Sequence, residues 1–277
     1  MPIPHCDDRI SYAIGDVHGH CRELQRLILA IHADMATYPA HTRFRLVLIG
    51  DLIDRGPDSR GVIDEVIALQ GEAKRSCGRL EVIAIRGNHE DTVLDILDGR
   101  AARIERWYPD TLGYGGGASF LRSYGAPEMR FEEVPAAVHG WVSPEHIAFL
   151  EAMPLYLDTG AYLFVHAGIR PGYALHQQST FDLLHIRKDF LNFNGDFGRI
   201  VVHGHTPHRQ PQIRPSLARP NRINIDTGCG YGVLLTCAVL EPHWNPARLR
   251  FLSVKNEIEC TFVEGLTHEQ VEASDLL

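Results

Sequence analysis

Gly50-Asp51-Leu52-Ile53-Asp54-Arg55-Gly56 follows directly on the near-continuous apolar run Phe44 to Ile49. Such a run, stopped by a glycine, reads as a strand buried on both faces. Immediately past its carboxyl end the chain supplies two aspartates and an arginine. Polar chemistry is therefore delivered at a strand terminus, and the neighbouring sequence must be searched for others like it.

Working outward, the same rhythm recurs. Arg9 to Ile14 reads as a strand, and His20 to Ala33 as an amphipathic helix with Leu24, Leu27, Ile28 and Ile31 on one face. Ser59 to Leu69 is predicted helical, Leu80 to Ile85 a third strand, and Glu90 to Leu97 a third helix. Alternating strands and helices predict an α/β sheet with crossover connections. Arg100 to Pro154 breaks the pattern. It is aromatic and glycine-rich around Gly113-Tyr114-Gly115-Gly116-Gly117, then helical, with Ser143 as N-cap, Pro144 in the first turn and Pro154 as a stop. This stretch is expected as an insert near a cleft, with Trp107 to Gly125 lining its mouth.

The second half is β-rich. Strands are predicted at Leu155 to Leu157, Tyr162 to Val165, Arg199 to Val202, Arg222 to Ile225, Val233 to Leu240 and Leu249 to Val254. Residues 264–277 carry three glutamates and one aspartate and are expected to be a loose, solvated tail.

Four more short motifs fall at the ends of strand-like runs: Gly15-Asp16-Val17-His18-Gly19, Gly87-Asn88-His89-Glu90, His166-Ala167-Gly168 and Gly204-His205-Thr206. In open α/β sheets, sites form beyond the carboxyl ends of strands. If these motifs meet, residues 1–277 form a single domain. Asp16 and His18 alternate on one strand end and can grip one ion together, with Gly15 and Gly19 letting the backbone turn around it. Asp51 has lone pairs enough to bridge two ions. Asn88, His166 and His205 would complete the second. Two such ions about 3.5–4 Å apart would lower the pKa of a bridging water and polarise a phosphoryl group. Oxygen and nitrogen ligands without thiolate suit Mn²⁺, Fe or Zn²⁺. His20, His203 and His208 are read as supporting or surface groups, with His205 preferred to His203.

His89 need not bind metal, because successive side chains diverge, and it is placed to act as a general acid. Asp54 would orient its imidazole; alternatively Asp54 pairs with Arg55 or caps the following helix. Arg55, Arg86 and Arg187 carry guanidinium forks that match phosphate oxygens.

These residues closely resemble the phosphoprotein phosphatase family of calcineurin-like binuclear metallophosphatases, in its compact bacterial and phage branch. Gly-Asp-x-x-Asp-Arg-Gly and Arg-Gly-Asn-His-Glu carry the resemblance, with Gly204-His205-Thr206-Pro207 and Ile225-Asp226-Thr227-Gly228 pointing to that branch. It implies two central mixed β-sheets packed face to face and flanked by helices. It also implies a two-metal centre, most often Mn²⁺, on Asp16, His18, Asp51, Asn88, His166 and His205. Arg55 on the phosphate and His89 with Asp54 as acid complete the implied machinery. The implied activity is direct attack of a metal-bridging hydroxide on phosphoserine or phosphothreonine proteins. His185 stands where that branch often has a tryptophan, two residues before the substrate arginine, and Tyr231 stands near the site rim. A second resemblance, through Asp226-Thr227-Gly228-Cys229 and His166-Ala167-Gly168-Ile169, is to symmetrical diadenosine tetraphosphate hydrolases, which implies a small phosphate compound as alternative substrate.

The remaining composition narrows partners. A formal net charge of −8 argues against a general nucleic-acid binder. The apolar runs are too short to span a bilayer, and residues 1–10 have no apolar core of signal-peptide length. Cytoplasm is the expected location. The six scattered cysteines, without a C-x-x-C pair, are expected to be reduced.

Overall fold

The computed structural model describes residues 7–100, 104–111, 114–255 and 260–264. Strand β1 (Ile10–Ile14), helix α1 (Cys21–Met35), β2 (Phe44–Leu48), α2 (Ser59–Arg75), β3 (Leu80–Ala84) and α3 (Asn88–Leu97) follow the predicted alternation. Next come α4 (Ile104–Trp107), a small hairpin β4 (Asp110–Thr111) and β5 (Tyr114–Gly115), α5 (Gly117–Ser123), α6 (Val134–Trp141) and α7 (Pro144–Ala152). The second half contains β6 (Tyr156–Asp158), β7 (Tyr162–Val165), α8 (Thr180–His185), α9 (Lys188–Leu191), β8 (Ile200–His203), β9 (Gln212–Arg214) and β10 (Arg222–Asn224). Strands β11 (Leu235–Leu240), β12 (Arg250–Val254) and β13 (Cys260–Glu264) close the chain.

These strands form two main mixed sheets, ordered β13-β12-β11-β1-β2-β3 and β6-β7-β8-β10-β9. The period-2 alternation of β1 and β2 decides the layering. Tyr12, Ile14, Leu46 and Leu48 face α1 and α2, while Ala13 and Val47 face the other sheet. Strand β7 divides likewise: Tyr162 and Phe164 point to the inter-sheet core, Leu163 and Val165 to a third core shared with Leu183, Ile186 and Phe190. The result is helix, sheet, sheet, helix.

Strands β9 and β13 and the short helices α8 and α9 had no sequence signal strong enough to predict them. Helix α2 runs to Arg75, beyond the predicted end at Leu69. Ser143 caps α7 as predicted, its Oγ accepting His146 N–H at 3.3 Å. Residues 265–277 of the expected tail lie outside the described residues. Cys21, Cys77, Cys229 and Cys237 are free thiols. Among the described residues no helix is long and apolar enough to cross a membrane.

One polar staple ties the first sheet to its helix layer. Arg250 on β12 donates to both carboxylate oxygens of Asp34 on α1, at 2.6 and 2.8 Å, and Tyr12 Oη donates to the same group at 2.5 Å.

Candidate metal centre and cleft

The turns after β1, β2 and β8, together with the start of α3, converge. Of the six non-glycine residues with positive φ among those described, five stand here: His18, Asp51, Asp54, Arg55 and His205. Each such conformation costs roughly 1–2 kcal/mol for an L-residue and persists only when its surroundings impose it. Glu90 supplies much of that imposition. Its Oε2 accepts Gly87 and Asp51 N–H at 2.8 and 3.0 Å, and its Oε1 accepts Leu52 and Ile53 N–H at 2.7 and 3.3 Å. Burial, and then the charge of Asp51, push its carboxyl up to about 7 against those amide donors.

Asp51 is the hinge of the arrangement. Its Oδ2 lies 3.5 Å from His18 Nε2, and its Oδ1 lies 3.3 Å from His166 Nε2. The other nitrogens of these rings donate to backbone carbonyls, His18 Nδ1 to Ile53 O at 3.1 Å and His166 Nδ1 to Ile49 O at 2.9 Å. Those partners assign the tautomer, and both Nε2 atoms therefore turn lone pairs toward the carboxylate. Lone pair facing lone pair is unfavourable without a cation between. His166 Nε2 also lies 2.9 Å from Asn88 Oδ1 and 3.2 Å from His205 Nδ1. Two groups result, His18–Asp51–His89 and Asp51–His166–His205, sharing Asp51.

The charge states suit a cation. Burial pulls His18, His166 and His205 below the usual histidine value, so they offer neutral imidazoles. Burial works against the Asp51 charge, but His166, His89, His18 and His205 outweigh it and hold the carboxyl below its usual range. Burial, then Asp226 and Asp51, raise Asp16 well above that range. A positive group already stands among the donors: Arg55 reaches His18 Nε2 at 2.9 Å and His89 Nε2 at 3.3 Å. The donor set fits divalent metal. Asp16 sits at its margin, its Oδ2 accepting His205 N–H at 3.1 Å.

His89 belongs by distance to the first group but is also held from outside it. Its Nδ1 lies 2.5 Å from Asp54 Oδ2, and its Nε2 lies 3.8 Å from Asp51 Oδ2. Burial opposes its charge, but Asp51 and then Asp54 outweigh burial, and its pKa rises. Asp54 is fully buried, and Trp107 Nε1 donates to its Oδ2 at 2.5 Å.

The cleft above these residues has a volume of about 780 Å³, within the range of small-ligand sites. Arg55, Arg187 and Arg106 line it together with the buried Trp107 and the exposed Phe181 and Tyr231. Arg187 Nη2 donates to His205 O at 3.2 Å. The Arg55 guanidinium lies 4.9 Å from the Tyr231 ring centroid. Arg86 is placed differently: it donates to Glu151 O at 3.0 Å, pairs with Asp91 at 3.6 Å, and is not among the cleft residues. His203 is buried against Phe190, away from the cluster. His20 pairs with Glu23 at 3.6 Å and His208 is half-buried by β10, neither joining the donors.

The insert meets the site through glycine. At Gly116 (φ 114°) a Cβ would fall 2.4 Å from Arg55 N, and at Gly117 it would fall 2.5 Å from the Trp107 ring. Only glycine lets this segment approach the Asp54–Arg55 turn so closely. Several cleft residues, Asp226, Arg106 and Phe181 among them, escaped the sequence reading. Asp226 was read only as part of a motif, yet it lines the cleft, and burial lifts it to about 6 against the pull of Gly228 N–H and Arg55. Arg106 and Phe181 lie on short helices with no motif to mark them.

The family profile described as calcineurin-like phosphoesterase matches residues 12–231. The asymmetrical bis(5′-nucleosyl)-tetraphosphatase PrpE of Anoxybacillus flavithermus is 28% identical over 243 residues, covering 80% of this chain and 87% of the relative. A solved structure named provisionally as a diadenosine tetraphosphatase superposes with a TM-score of 0.57 at 19% identity, over 91% of this chain and 96% of that one. The cold-active protein-tyrosine phosphatase of a psychrophilic Shewanella superposes with a TM-score of 0.55 at 16% identity, over 98% and 81%.

Proposed function

The chain belongs to the calcineurin-like phosphoesterase family, and on that premise we propose that this hydrolase cleaves dinucleoside polyphosphates at a phosphoanhydride by direct attack of water. The observation that carries the reading is the cleft: paired metal donors, three arginines and aromatic rings line one cavity of about 780 Å³. That combination suits a ligand with a polyphosphate and flat bases. The curated relative's name agrees with it.

In this proposal Asp16, His18 and Asp51 hold one divalent ion, and Asp51, Asn88, His166 and His205 hold the second, manganese being preferred with iron or zinc as alternatives. When bound, such ions polarise phosphoryl oxygens and acidify the attacking water. Arg55 and Arg187 take the phosphate oxygens, where guanidinium geometry gives two parallel hydrogen bonds. His89 keeps Nδ1 on Asp54 and delivers the proton on Nε2 to the departing oxygen. Arg86 is left to tie the turn before α3 to the end of α7, since its guanidinium is turned there.

A second reading, hydrolysis of phosphoserine or phosphothreonine proteins, is favoured by the close His89–Asp54 pair at 2.5 Å. An alkoxide needs a proton to leave far more than a nucleotide phosphate does. The deciding measurement is kcat/KM, with Mn²⁺ present, on diadenosine tetraphosphate and on a phosphoserine peptide. The nucleotide is expected to be preferred by at least about tenfold, a difference of only about 1.4 kcal/mol in transition-state binding. A preference of that size for the peptide would overturn the proposal.

A further inference from the structure

We infer that Phe181, backed by His185, is a stacking platform for a purine base; this deepens the nucleotide reading and rests on it. Helix α8 has two unlike faces. Leu183 and Leu184 are buried, Leu183 in the core shared with β7 and β8, and Asp182 is bound by Arg170 at 2.7 and 3.0 Å. Ser179 Oγ caps the helix by accepting Asp182 N–H at 3.0 Å. The helix is thereby held on three counts, and what it shows to the cleft is fixed with it.

What it shows is Phe181, 63% exposed and lining the cleft. A large apolar ring left in water beside charged groups forfeits burial that other phenylalanines in this chain obtain. His185 lies four residues on, hence on the same helix face, with its ring 5.0 Å from Phe181 and tilted by 32°. This tilted ring contact stiffens the exposed ring, so little freedom is lost when a third flat group is added. His185 in turn meets His205 edge-on at 6.1 Å. Two successive centroid separations therefore place the platform within about 11 Å of a proposed metal donor. Arg187, two residues beyond His185, lies on the same side of the cleft through its bond to His205 O. A nucleotide with its base on Phe181 would thus direct its phosphates past Arg187 toward the donors.

The test compares AMP with ribose 5-phosphate as competitive inhibitors of p-nitrophenyl phosphate hydrolysis by the metal-loaded protein. Only the base differs between them, so the ratio of their inhibition constants isolates its contribution. The wild-type protein is expected to favour AMP. Phe181→Ala should erase that preference by roughly 5–100-fold, the usual worth of one base–aromatic stack, and Phe181→Trp should retain it. Exposure at this position makes misfolding of either variant easy to exclude by its melting curve. An unchanged AMP preference in Phe181→Ala, with diadenosine tetraphosphate still hydrolysed, overturns the platform alone. A loss confined to phosphopeptide hydrolysis would make the ring a peptide contact and overturn it equally. No AMP preference and no dinucleotide turnover in the wild-type protein would instead bring down the nucleotide reading on which the platform stands.

Discussion

His89 and Trp107 converge on a single oxygen: the imidazole Nδ1 and the indole Nε1 each lie 2.5 Å from Asp54 Oδ2. Asp54 is fully buried, and its Oδ1 has no hydrogen-bond partner. Orientation of the proposed acid therefore depends on a residue from the insert. Trp107→Phe keeps the ring and removes the N–H. It is expected to lower kcat by on the order of tenfold, the usual cost of losing a supporting hydrogen bond at a site, with KM little changed. A structural role alone would lower the melting temperature and leave kcat per folded molecule as it was.

His89→Asn should lower kcat by about 10²–10⁴-fold on an alkyl phosphate, the range of general acid catalysis. Loss on p-nitrophenyl phosphate and on the phosphoanhydride should be smaller, because their leaving groups are weaker bases than an alkoxide and gain less from the proton. Equal losses across all three would count against the acid role.

Asp51→Asn removes the charge shared between the two donor groups, which meet on opposite oxygens of this carboxylate. Both ions should be held more weakly, and metal analysis of the purified variant should find less than half the wild-type content. Chelator treatment of the wild-type protein should abolish activity, and added Mn²⁺ should restore it. A variant that retains its full metal would mean Asp51 is not the shared ligand.

Asp34→Asn tests the staple between β12 and α1. Burial raises the Asp34 pKa, but the bonds from Arg250 and Tyr12 outweigh it and the net shift is downward. A carboxyl held lower in the folded state stabilises above its unfolded value, about 3.9, and that contribution is lost as pH falls through the folded value. Charged hydrogen bonds of this kind are worth about 2 kcal/mol. The variant should therefore melt roughly 4–8 °C lower at pH 7, and the difference from the wild-type protein should shrink as the pH is taken below 4. A difference that persists at low pH would show packing, rather than charge, to be responsible.

Much of the donor arrangement was legible because its parts are local. Asp16, Asp51 and His205 each follow a strand whose apolar run is readable, and period-2 alternation already places their neighbours in two cores. The preference for His205 over His203 rests on no readable signal, since the predicted strand stops at Val202; in the structure His203 ends β8 and is buried against Phe190. Arg86 was not readable either. Its motif position places it beside the donors, but the end of α7 is a tertiary neighbour that draws its guanidinium off to Glu151 O. Phe181 and Asp226 were missed for a similar reason, since α8 is too short to show a period and a buried carboxylate in a Gly-rich turn looks like any other turn residue. Strands β9 and β13, of three and five residues, were lost to the same shortness or to the polar sequence around them.

The close approach of Gly116 and Gly117 to Arg55 and Trp107 has an engineering corollary. Anyone redesigning this cleft to admit a new compound would be editing the same loop that brings an indole onto Asp54, the partner of the proposed acid. On the proposed roles, a chimera carrying a relative's insert should change selectivity and turnover at once unless that glycine pair and the indole travel with it.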